Sequence, residues 1–188
     1  MAEKSTTKKF TTKQIVLTGL MAALVFVTNY IHFSIPLVAG SPTRIHIANG
    51  FCIIAGIALG PITGGLAAGI GSMFYDFTNP AYIASSPFTF LFKFLMAFVA
   101  GKIANKNGRN GNRLSYNILG AVCGQILYIV LYLAKKFIKG ILVGNAVQTV
   151  ITACLTSLFA STVNAIVAVI LVAVLLPMFK KAIDKVSR

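Results

Sequence analysis

The chain of 188 residues is 57% hydrophobic and 11% charged, with 17 Lys and Arg against 3 acids, a formal charge of +14 and a mean hydropathy of +0.84. Polar groups this sparse cannot cover a soluble domain, which excludes water-soluble globular folds. The basic residues cluster between apolar runs instead of forming a surface interleaved with aromatics, so nucleic acid is set aside and an integral protein of the lipid bilayer remains.

Residues 1–13 read as a polar, basic tail. The apolar segment that follows, about 14–33, reads as a retained first helix because no small-residue cleavage site follows it and further spans do. Within it Gly19 and Ala23 are four apart and share a helical face, where another helix, of this chain or of a partner, can approach closely. The sequence SIPLVAGSPT, Ser34 to Thr43, ends that helix and makes a loop long enough to cover a site. Arg44 and His46 follow at the mouth of the second span, where interfacial anchoring is the simplest reading.

The second and third spans, about 45–59 and 62–77, are short and glycine-dense, and Gly60-Pro61 leaves a tight connection between them. Glycines at these spacings let helices pack closely in lipid. The hairpin ends in SMFYDFTNPAYIASSPFTF. There Asp76, the only acid between Glu3 and Asp184, is surrounded by Phe74, Tyr75, Phe77 and Tyr82, with Asn79 and Pro80 close by. Aromatic faces beside a carboxylate and an amide suit a flat, heteroatom-rich small molecule. An interfacial aromatic belt with Asp76 facing water is the competing reading.

Lys93 interrupts the fourth span, about 87–101, too deep to snorkel easily without a partner, and Asp76 is the pair the sequence offers it. Residues 102–113 form a basic, glycine- and asparagine-rich loop. The fifth span, about 115–134, carries Gln125, Tyr128 and Tyr132, which can share a face. The stretch 135–152, KKFIKGILVGNAVQTVIT, reads as too polar and glycine-broken for the centre of a span. A last helix, about 153–178, holds Asn164 inside it, hydrogen-bonded to a neighbouring helix or to a ligand.

These elements describe one membrane domain over 1–188, all-α, with six transmembrane helices and both termini on one side. Placing the termini and the 102–113 loop inside collects twelve basic residues there and leaves four, Arg44, Lys135, Lys136 and Lys139, outside, so the positive-inside rule makes the termini cytoplasmic. The three dispersed cysteines indicate neither a disulfide framework nor a metal site. No GxxxxGK[ST] occurs, so no nucleotide site or other cofactor is expected. A membrane enzyme would need a nucleophile, base or metal constellation that the sequence lacks.

Taken together, the small pair Gly19 and Ala23, IHIANGF, AGIALGP, GGLAAGIGSMFYDF, FKFLMAFVAG and NAIVAVILVAVLLP resemble the substrate-binding S components of energy-coupling factor (ECF) vitamin transporters, the riboflavin-transporter-like branch most, over nearly the whole chain. The resemblance implies a non-enzymatic, multi-pass subunit of a bacterial plasma membrane that captures a B vitamin or precursor from outside. Riboflavin, pyridoxine, hydroxymethylpyrimidine, pantothenate and cobalamin are the classes in view. Its implied partners are a transmembrane coupling protein (T component) and two cytoplasmic ATPases, and its implied mechanism is reorientation in the membrane. Gly19 and Ala23 then match the family's AxxxA contact with the coupling protein, and Ser34 to Thr43 its lid. The resemblance puts Tyr75, Asp76, Asn79, Tyr82, Lys93, Gln125 and Asn164 in the region that binds substrate. The alternative is a stand-alone secondary transporter or channel using Asp76.

Overall fold

Thr11 starts the first helix through a capping box, its hydroxyl accepting from the Gln14 N–H (3.3 Å) while Gln14 Oε1 accepts from the Thr11 N–H (3.0 Å). The computed structural model describes residues 11–36 and 43–187. Residues 1–10 of the basic tail and 37–42 of the expected lid loop therefore lie outside the described residues.

Six α-helices follow in order among the described residues: α1 (Thr12–Thr28), α2 (Ala48–Leu59), α3 (Pro61–Phe77), α4 (Ser86–Asn105), α5 (Leu114–Leu142) and α6 (Val147–Ser187). Those within Ile83–Gly108, Leu114–Leu142 and Val147–Ile183 are long and apolar enough to cross a membrane, and α1 and α2 are shorter apolar helices. Large apolar side chains on the outer faces of α5 and α6, among them Ile126, Val130, Phe159, Ile166 and Ile170, are exposed, as a lipid-facing surface requires.

The chain departs from the expected spans at two places. Helix α1 stops at Thr28 instead of near residue 33, and the connection to α2 is an antiparallel hairpin, β1 (His32–Ile35) paired with β2 (Thr43–His46), with His32 opposite His46 and Ile35 opposite Thr43. Pairing satisfies the backbone N–H and C=O groups that a loop at this depth would leave open. The second departure is α5, which runs through the expected break at 135 to Leu142. Gly140 does not interrupt the helix; it lets α6 approach, since a Cβ there would meet Val150 Cγ2 at 2.8 Å. The stop comes at Gly144 (φ 83°), where the Gly144 N–H donates to Ile141 C=O (2.9 Å) and the Asn145 N–H to Gly140 C=O (3.2 Å), the two bonds of a Schellman turn.

Helix α2 is the centre of the bundle, packed against α1, α3, α4 and α6 and buried from Ala48 to Ile57 apart from Phe51. Small residues make this possible. A Cβ on Gly56 would collide with the Ala97 carbonyl of α4, and one on Gly101 with the carbonyl of Gly56, so α2 and α4 cross backbone to backbone. Twelve residues reach about 18 Å, short of the roughly 30 Å hydrocarbon core. The hairpin lies at the end of the bundle remote from the described chain ends, and there the bundle opens.

Candidate functional site

A cavity of about 370 Å³ lies at that end, lined by residues of the hairpin, the 78–85 connection and helices α4, α5 and α6, together with Asn29 and Asp76. One wall is built around Arg44. Its guanidinium stands 4.1 Å from the Tyr82 ring centroid and 4.8 Å from that of Tyr75, with Nη2 3.6 Å from Asp76 Oδ1. Asp76 also takes a hydrogen bond from the Thr89 side chain. Tyr75 is fixed from behind, edge-on to Tyr30 at 4.9 Å, and its hydroxyl lies 3.5 Å from His32 Nδ1. Two aromatic faces and a carboxylate thus hold one cation in a defined plane.

The floor is a polar relay between three helices. Lys93 of α4, buried and 4.4 Å from the Tyr128 ring centroid, donates from Nζ to Asn49 Oδ1 of α2. Asn49 Nδ2 donates to Gln125 Oε1 of α5 (3.2 Å). Each group hands its demand to the next, which is how an ammonium is retained in a dry core.

The back wall is α6. Asn164 Oδ1 accepts the His46 N–H and its Nδ2 donates to the Arg44 carbonyl, both at 2.8 Å, so one amide clamps β2 against α6 and sets where Arg44 points. His46, on the same strand, is buried. Burial pushes the Tyr82 phenol up. Arg44 Nη1 and His46 Nδ1 are buried without a hydrogen-bond partner among the described residues, so they are the groups a polar ligand would satisfy, while Asp76 Oδ1 faces the Arg44 guanidinium.

A family model for the ECF-type riboflavin transporter S component matches residues 9–182. The chain belongs to this family. No curated protein matches it. It is therefore a multi-pass membrane subunit of a vitamin-uptake system, from a family of substrate-binding S components and not of enzymes.

Of the residues singled out in this S component from sequence, Asp76, Tyr82, Lys93 and Asn164 line the cavity. Tyr75 stands against Arg44, and Gln125 accepts from the Asn49 amide that in turn accepts from Lys93, so both act as supports. Asn79 is outside the lining, its Oδ1 accepting the Ala81 N–H (3.1 Å) to close a turn. The expected pairing of Asp76 with Lys93 is corrected: Asp76 pairs with Arg44, and Lys93 turns to Asn49. Arg44, half-buried, and His46, buried, both line the cavity.

Sequence reasoning also passed over Asn49, whose partner is 44 residues away, and the lysines of α5. A signal for the latter was present: Tyr128, Tyr132 and Lys136 recur every four residues with Lys135 and Lys139 alongside, a stripe at helical spacing. Gly19 and Ala23 are exposed on α1, and nothing lies within 4 Å of a Cβ placed on Gly19, so this face is unused inside the S component.

Proposed function

We propose that this chain is the substrate-capture subunit of an ECF-type importer in a bacterial plasma membrane, binding a B vitamin or vitamin precursor in the cavity beneath the β1–β2 hairpin. The observation that carries this reading is the cavity itself, about 370 Å³, within the size range of small-molecule sites, with aromatic faces beside buried polar atoms, Arg44 Nη1 and His46 Nδ1, that have no hydrogen-bond partner among the described residues. In this reading Asp76, Tyr82, Lys93 and Asn164 border the ligand, while Tyr75 and Gln125 hold Arg44 and Lys93 in place. The β1–β2 hairpin serves as the lid.

With the termini in the cytoplasm the cavity faces outward, and ligand entry excludes water and strengthens each polar contact. Release then needs a second state of lower affinity, favoured by partners: a T component meeting α1 at Gly19 and Ala23, and two ATPases supplying the energy. A proton-coupled carrier working through Asp76 is less well supported, because Arg44 already engages that carboxylate.

The test has two arms. Copurification from the native membrane with a T component and two ATPases supports the subunit assignment, and calorimetry of the purified chain against riboflavin, pyridoxine, hydroxymethylpyrimidine, pantothenate and cobalamin identifies the vitamin. Absence of ATPases together with transport by the isolated chain in vesicles overturns it.

A further inference from the structure

We propose that the substrate is an anion: a molecule with an aromatic or heteroaromatic body and a carboxylate or phosphate group that sits against Lys135 and Lys139. This rests on the substrate-capture reading of the cavity and names the chemistry that the cavity selects.

Five basic side chains, Arg44, Lys93, Lys135, Lys136 and Lys139, line the cavity, and Asp76 is the only carboxylate among the described lining residues. That carboxylate is already engaged by Arg44 at 3.6 Å, and Lys93 is held by a neutral amide. Lys136 donates to Ser157 Oγ at 2.7 Å, and Lys135 lies 5.4 Å from the Phe88 ring centroid. Lys93 is buried, Arg44, Lys135 and Lys136 are half-buried and Lys139 is exposed at the rim; so many like charges gathered around one cavity repel one another, and a bound anion relieves it.

The placement of the lysines supports the same conclusion. They stand on α5 at the end of the bundle remote from the chain termini, where basic residues are disfavoured by the charge bias of membrane insertion. A cation kept against that bias is a functional candidate. The α5 stripe further divides the cavity into zones. Tyr128 and Tyr132 stack in parallel (centroids 5.9 Å apart, interplanar angle 9°) toward Lys93, and Lys135 and Lys139 continue the stripe toward the mouth. A ring lies along the tyrosines while its acid group reaches the lysines.

Matched pairs test this by calorimetry on the purified full chain: riboflavin and riboflavin 5′-phosphate, pyridoxine and pyridoxine 5′-phosphate, nicotinamide and nicotinate, with pantothenate and inorganic phosphate alone. The phosphate and carboxylate pairs separate the two sources of negative charge. In the pair whose ring is accepted, the acid should bind at least about tenfold tighter than its neutral partner, and Lys135→Gln and Lys139→Gln should each narrow that acid-to-neutral affinity ratio by about tenfold. Lys139→Arg, which keeps the charge, should retain binding and serves as the folding control. Equal or tighter binding of the neutral partner, or undiminished acid binding in both glutamine variants, overturns the proposal while leaving the capture function standing. Binding of no panel member overturns the anion, and if ATPases are also absent, the capture function with it.

Discussion

Arg44, on a β-strand, and Asp76, on α3, form an ion pair at 3.6 Å across the mouth of the bundle, with 15% and 2% of their side chains exposed. Removing one member of such a pair strands the other charge in the interior. Arg44→Met and Asp76→Asn should each lower stability by about 3 kcal/mol, and the double variant should lose less than the sum. Thermal unfolding in detergent provides the cycle. Strict additivity would show that the two side chains act independently.

The Lys93–Asn49–Gln125 relay predicts a graded response. Gln125→Met leaves a single amide N–H unpaired and should cost about 1–2 kcal/mol. Asn49→Leu removes the acceptor of a buried ammonium and should cost about 3 kcal/mol or more, with part recovered when Lys93→Met is added. The order of the melting temperatures checks the relay, and a Gln125 variant worse than the Asn49 variant contradicts it.

At Gly56 a methyl group would enter the Ala97 carbonyl. Gly56→Ala should therefore separate α2 from α4 and cost about 1–3 kcal/mol, whereas Gly19→Ala, with nothing within 4 Å, should leave the melting temperature of the isolated subunit unchanged.

The same open space around Gly19 separates partner binding from folding. Gly19→Leu or Ala23→Leu should preserve ligand affinity and thermal stability while abolishing copurification with the T component. Retained assembly in both variants would move the partner surface elsewhere.

Much of the fold was legible because apolar runs and breakers are local signals. Gly60-Pro61 marks the α2–α3 turn, Gly60 taking φ 94° and Pro61 the first helical position. Asp76, Lys93 and Asn164 stood out as polar groups in apolar sequence, which is why they could be singled out at all. The hairpin was not legible, since strands of four residues split by a proline- and glycine-containing stretch look like a loop. Arg44 was missed because a basic residue between two spans reads as an anchor, and only its pairing with Asp76 distinguishes it. The extension of α5 was missed because composition counted Lys135, Lys136 and Lys139 as polar, while their spacing turns them into a cavity rather than into lipid.

The shortness of α2 bears on how the protein is made. A helix of about 18 Å, buried on nearly all sides by its neighbours, is too short to be recognised and released into lipid as a span on its own. Gly60 and Pro61 join it so tightly to α3 that the two can enter the bilayer only as a helical hairpin, with the glycines of one already against the other. Biogenesis is thereby tied to the same close approach that builds the core: a side chain added at Gly64, whose Cβ would strike Ala55, would be felt during membrane insertion, before the bundle exists to be destabilised.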